Sequence, residues 1–104
     1  MKLPFQVFFH GMEPSEAVEA AARERLQKLE QLRSDIVSCR VSVELQQRHQ
    51  RQGRPFGVRI DLTVPGRELA VTHTENEDVY VALRDAFDDM RRRLQALGDA
   101  DRRR

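Results

Sequence analysis

Two stretches of this chain alternate strictly between apolar and polar side chains, and they constrain the fold more than any other feature. In "VSCRVSVEL", Val37, Cys39, Val41, Val43 and Leu45 fall on one side, and Ser38, Arg40, Ser42 and Glu44 on the other. In "FGVRIDLTV", Phe56, Val58, Ile60, Leu62 and Val64 form the apolar side, opposite Gly57, Arg59, Asp61 and Thr63. Successive side chains of a strand point to opposite faces, so each stretch reads as a strand buried on one face and wet on the other.

Two further strands extend the pattern. "LPFQVFF" sets Leu3, Phe5, Val7 and Phe9 at period two, and Pro4 limits pairing at its start, which suits an edge or first strand. After the turn signal "VPGREL", where Gly66 supplies a positive φ, Leu69, Val71 and His73 continue as a fourth strand. The last three strands are expected to form an antiparallel meander.

Elsewhere the period changes to that of a helix. From about Ser15 to Arg33, Val18, Ala22, Leu26 and Leu29 share one face, with Ala21 and Leu32 beside it. Pro14 suits the first turn, and Glu16 and Glu19 suit the positive helix end. Glu19–Arg23 and Glu24–Lys28 have the spacing of ion pairs one turn apart. From near Asp78, itself a helix-start residue, Val79, Leu83, Ala86, Phe87, Met90, Leu94 and Leu97 make a second apolar stripe. Gly98 marks a stop, and "DADRRR" reads as a charged, frayed tail. The order is βαβββα, an α+β class, and since every strand has one apolar face, both helices cover the same side of a four-stranded sheet. The crossover through the first helix is right-handed if strands one and two are parallel. Residues 1–98 form one domain, with 99–104 as the tail.

Composition fits a thin two-layer domain: of 104 residues, 39% are apolar and 34% charged. No signal peptide or membrane span is visible, and a lone Cys39 forms no internal disulfide, so a cytoplasmic protein is expected.

Chemistry is sparse. His10, His49 and His73 lie in separate segments without a partner at metal-ligand spacing, and Cys39 sits on a buried strand face, where a thiol acts as a small hydrophobe. There is no nucleophile motif and no Gly-rich phosphate loop. Asp85, Asp88 and Asp89 cluster, but Asp88–Arg92 and Asp89–Arg93 have ion-pair spacing, which fits a solvated helix face. Catalytic residues, metal, cofactor and small-molecule substrate are therefore not expected.

Basic groups are the remaining signal. Sixteen of the eighteen cations are arginine, and the net charge of +1 excludes a uniformly basic coat while allowing a basic patch balanced by an acidic one. Arg48, Arg51, Arg54 and Arg59 gather in and after the loop "QQRHQRQGRP". Arg91, Arg92 and Arg93 lie late in the second helix, and Arg25 and Lys28 one turn apart on the first. Together they have the composition of a phosphate-binding groove. Tyr80, off the centre of the second stripe, could stack on a base; packing against the sheet edge with a wet hydroxyl is the expectation.

The element order and two local strings resemble the ribosome hibernation promoting factor family, also called ribosome-associated translation inhibitors. "RLQKLE", Arg25 to Glu30, is similar to the family's first-helix pattern, and "NEDVYVAL", Asn76 to Leu83, to the entry into its last helix. Arg92 and Leu94 match that helix's Arg-x-Leu. The resemblance implies two roughly parallel helices on one face of a mixed sheet. It implies binding to rRNA of the small ribosomal subunit in the mRNA/tRNA channel, blocking translation and stabilising idle ribosomes in stationary phase or stress. Arg25, Lys28 and Arg92 match basic family positions. Asp89, Ala96 and Gly98 stand where many members are basic. Room for the second, dimerising domain of long members is lacking, so a short form is expected. The competing expectation is a protein-interaction or regulatory module on the same fold, motivated by the acidic patch and near-zero net charge.

Overall fold

The computed structural model describes residues 3–46 and 55–102, with only the backbone at 73, 74, 101 and 102. The elements run β1 (Phe5–His10), α1 (Glu16–Leu32), β2 (Ser38–Leu45), β3 (Phe56–Val64), β4 (Arg67–Asn76) and α2 (Val79–Arg102). One sheet holds the strands in the order β1-β2-β3-β4. β1 lies parallel to β2, and β2, β3 and β4 form the antiparallel meander. The expected βαβββα mixed sheet is thus present, with β1 at an edge. Because β1, β2 and β4 run one way and each helix returns from a strand of that sense, α1 and α2 run in the same direction.

Period-two burial follows the register. Phe5, Val7 and Phe9 pair with Cys39, Val41 and Val43, which in turn face Leu62, Ile60 and Val58 across β3. With Val18, Ala22, Leu26 and Leu29 of α1 and Leu83, Phe87, Met90 and Leu94 of α2, they make one core that contains no buried polar side chain among the described residues. Each fully buried aliphatic side chain contributes about 1.5–3 kcal/mol of transfer free energy, which is what holds two amphipathic helices to one sheet face.

The helix starts are set by side chains. Ser15 Oγ accepts the amide of Val18 at 3.2 Å, so Ser15 is the cap of α1, and Pro14 stands before that cap rather than inside the first turn. Asp78 Oδ1 accepts the amide of Tyr80 at 2.9 Å, the helix-start role expected of it.

Three local expectations are corrected. Val37 is 49% exposed, because β2 starts at Ser38 and Ile36, arriving from α1, takes the core place that alternation assigns to Val37. A bulge breaks the count Leu69–Val71–His73: Val71 pairs with Ile60, but the partner of Val58 is Thr74, three residues on. Helix α2 runs through Gly98 to Arg102 and does not stop there. Gly98 lacks the positive φ of a left-handed cap, so the ladder continues past it. The loop carrying Arg48, Arg51 and Arg54 lies outside the described residues; its neck is closed by the Gln46 amide donating to the Pro55 carbonyl at 2.9 Å.

Candidate nucleic-acid interface

Helical rotation decides which charges of the outer layer meet. At 3.6 residues per turn, each residue advances about 100°. On α1 the core line runs through Val18, Ala22, Leu26 and Leu29. Arg23 lies to one side of it, and its guanidinium sits 5.0 Å over the ring of Phe5, so that flank faces β1. Ala17, Ala21, Arg25, Lys28 and Leu32 lie on the opposite flank, which is turned toward α2.

On α2 the core line runs through Leu83, Phe87, Met90 and Leu94. Gln95 and Gly98, on one flank, share a shallow depression with Leu32 of α1 and Arg33, which caps it, so this flank is the one turned toward α1. Tyr80, Arg84, Asp88 and Arg91 occupy the same flank. Arg92 points away from the sheet, and Arg93 lies on the far flank. The packing of α1 against α2 therefore brings Arg25 and Lys28 beside Arg91, with Arg92 on the crest between solvent and groove.

Ion pairing sharpens this picture. Arg25, Lys28 and Arg91 have no ion-pair partner among the described residues. Lys28 is exposed and Arg25 half-buried, and the expected Glu24–Lys28 pair is absent; both heads lie at the surface, where water competes with such pairs. Glu19–Arg23 forms, at 3.8 Å. Arg92 pairs not with Asp88 but with Asp89, at 3.9 Å, and Asp89 also reaches Arg93 at 4.0 Å, as expected for that second pair. Asp88 lies on the flank turned to α1, while Asp89 lies between Arg92 and Arg93, which explains the exchange.

The opposite sheet face is a different surface. No helix covers it, and on it Arg59 donates through Nε and Nη2 to the two carboxylate oxygens of Asp61, both at 3.0 Å. That pairing holds the Arg59 pKa above its ordinary value, chiefly through the hydrogen bond and then through the adjacent charge. The concavities there are lined by mixed groups such as Arg40, Ser42, Arg59, Asp61 and Glu68. Among the described residues, no group of three or more His, Cys, Asp or Glu could hold a metal ion. No described helix is long and apolar enough to cross a membrane.

Of the basic residues singled out in the sequence, Arg25, Lys28, Arg91 and Arg92 come together on the outer helix layer, whereas Arg48, Arg51 and Arg54 fall outside the described residues. Arg84 belongs to the same flank and was not among them; its signal is the heptad spacing to Arg91. It is the most tethered member, with Nε and Nη2 at 3.3 and 3.2 Å from Asp85. Tyr80 is 47% exposed and lies on the flank turned to α1, not at the outer edge of the sheet.

The N-terminal domain of Protein Y from Thermus thermophilus shares this fold, with a TM-score of 0.74 at 19% identity over 93% of this chain and 99% of that one. A ribosomal subunit interface protein from Coxiella burnetii matches with a TM-score of 0.73 at 14% identity, over 90% and 98% of the respective chains. Identities this low carry the fold alone. Among curated proteins, none matches the chain. Residues 5–100 match the model described as Sigma 54 modulation protein / S30EA ribosomal protein, a span that takes in the sheet and both cation-bearing helices. That family consists of ribosome-associated hibernation factors, which are not enzymes. By that match the chain belongs to the Sigma 54 modulation protein / S30EA ribosomal protein family, the hibernation-factor family that "RLQKLE" and "NEDVYVAL" resemble.

Proposed function

We propose that this protein is a cytoplasmic translation inhibitor of stationary phase or stress that binds the small ribosomal subunit in the channel for mRNA and tRNA. One observation carries the reading beyond the family: Arg25, Lys28 and Arg91 converge on adjoining helix flanks without ion-pair partners among the described residues. Unpaired cations on a rigid two-helix surface suit rRNA phosphates, which they meet without first breaking an internal pair. Arg92, shared with Asp89 at 3.9 Å, joins them at some cost. Arg48, Arg51 and Arg54 in the β2–β3 loop are accessory contacts. Inhibition follows from occupancy, since a domain seated in the channel excludes the substrates of translation, and no bond is made or broken.

The test is co-sedimentation with purified small subunits across a salt series. Binding is expected at low salt and should fall steeply as salt rises. Changing Arg25, Lys28 and Arg92 together to Glu should abolish association while the circular dichroism spectrum stays native. Failure of the wild-type protein to co-sediment at low salt would overturn the function. Undiminished binding of the triple variant would remove those residues from the interface.

A protein-interaction module is the competing reading. The open sheet face favours it, because it mixes both signs of charge, Arg40 and Arg59 with Asp61 and Glu68, and Arg59 pairs with Asp61. Loss of subunit binding on Arg59→Glu, with the triple helix variant unaffected, would select that face.

A further inference from the structure

The α1–α2 groove has two chemically different ends. Lys28 and Arg91 mark the C-terminal half. Fifteen residues before Leu32 is Ala17, and fifteen before Gln95 is Tyr80. The two helices run in the same direction and Leu32 and Gln95 line one depression, so a count of fifteen residues back along each brings Ala17 and Tyr80 to the same level, at the N-terminal end. On this flank α1 contributes Ala17 and then Ala21, both short side chains. Tyr80 is 47% exposed, and its ring and hydroxyl have no partner among the described residues.

We propose that Tyr80 is a stacking platform for an unpaired RNA base. The base lies against the ring over the Ala17–Ala21 shelf, and the strand's phosphates continue along the groove toward Arg84, Arg91 and Lys28. The inference rests on the ribosome-binding reading and deepens it, for it states that part of the RNA in the site is single-stranded. From Tyr80 to Arg91 the flank rises about 16 Å along one line of α2, so an aromatic face and a run of cations form one track. An aromatic face joined to a cation-lined groove is how single strands are held without sequence preference. A duplex offers no free base face to such a ring, whereas an unpaired nucleotide does. The cap hydrogen bond from the Tyr80 amide to Asp78, at 2.9 Å, fixes the backbone from which the ring projects. The helix start that carries the ring is therefore in place before any ligand arrives.

The chain carries one tyrosine and no tryptophan, so its intrinsic fluorescence above the phenylalanine range reports Tyr80 alone. The experiment titrates the protein with three probes: a short single-stranded oligoadenylate, an abasic oligoribonucleotide of equal length, and an RNA duplex. Binding is read independently from end-labelled RNA. Oligoadenylate should quench the tyrosine signal, and the abasic strand should bind more weakly without quenching. Tyr80→Ser should weaken oligoadenylate binding about five- to a hundredfold, whereas Tyr80→Phe keeps it. The dependence of binding on salt should not change in either variant, because no phosphate contact is lost. Equal quenching by the abasic strand or the duplex, or oligoadenylate affinity unchanged in Tyr80→Ser, overturns the proposal. Co-sedimentation of the same proteins with small subunits separates the two levels. If the wild type sediments with subunits but the oligoadenylate results fail, the stacking proposal falls and the ribosome reading stands. If Tyr80→Ser loses subunit binding while oligoadenylate binding is untouched, Tyr80 meets a protein, and the proposal also falls. If the wild type sediments with nothing, both readings fall.

Discussion

Asp89 and Arg92 stand one turn apart on α2, with Oδ1 3.9 Å from Nη1, and the same carboxylate oxygen lies 4.0 Å from Nε of Arg93. One acid therefore holds two of the three consecutive arginines of this turn. Both arginines are more than half exposed, so each pair is worth well under about 1 kcal/mol to the fold. Its larger effect is on the groove, where it lowers the potential offered to a phosphate.

Asp89→Asn should release Arg92 and raise affinity for small subunits several-fold at low ionic strength, with the gain shrinking as salt is added. Thermal unfolding should shift by no more than about 0.5 kcal/mol equivalent. Co-sedimentation and a melting curve on the same preparation check both. Unchanged or weaker binding would mean that Arg92 makes no contact with the subunit.

A second expectation separates the two faces. Lys28→Ala and Arg91→Ala should each weaken subunit binding and reduce the slope of log K against log salt by about 1, the signature of one lost phosphate contact. Arg59→Ala removes the same charge from the open sheet face, where that charge is already held by Asp61 at 3.0 Å, and should leave both affinity and slope in place. Similar slopes for all three variants would place the interface elsewhere.

The sheet was legible because one-sided burial writes itself into alternation: Cys39, Val41 and Val43 are buried as Ile60 and Leu62 are. The misreadings fall where a neighbour, not the period, decides. Ile36 displaces Val37 because the connection from α1 enters the core at an angle no strand pattern encodes. The β4 bulge costs one count after Val71 and leaves no signature in "AVTHT". For the candidate site, the residue types on α1 and α2 were readable, as was their rough grouping. Which of them remain unpaired was not. Spacing allows Arg92 to pair with either Asp88 or Asp89, and the structure selects Asp89, which lies between Arg92 and Arg93.

The glycines make a matched pair of predictions. Gly98 lies inside α2 with open space where a Cβ would stand, so Gly98→Ala should stabilise the protein by up to about 1 kcal/mol, less if the last turn frays. Gly11 follows β1 directly with φ of 71°, and a Cβ there would come within 2.8 Å of the Leu45 carbonyl oxygen. That backbone belongs to β2 and cannot give way cheaply, so Gly11→Ala should cost roughly 1–3 kcal/mol. Urea denaturation of the two variants should move the midpoint in opposite directions. A stabilised Gly11→Ala protein would contradict the tight approach of β1's end to β2.

Cys39 gives a pH-dependent test of the core. Burial, and then the charges of Asp61 and Glu30, push its thiol from 9.0 up to about 12. The fold therefore favours the neutral thiol, and the unfolded chain loses that proton first. The stabilisation is complete below about pH 9 and drains away as pH rises toward about 12, by at most about 1.4 kcal/mol per pH unit. Other groups titrate in that range, so the measurement is a difference. Cys39→Ala should be less stable than wild type by about 1 kcal/mol near neutrality, through lost packing. Above about pH 9 the gap should narrow and then reverse. In the native wild type the thiol should also resist alkylation until denaturant is added, because it is 2% exposed on the core face of β2. A gap that stays constant with pH, or a thiol that reacts readily in the native protein, would mean that Cys39 reaches solvent and that the sheet and helix layers are less closely packed there.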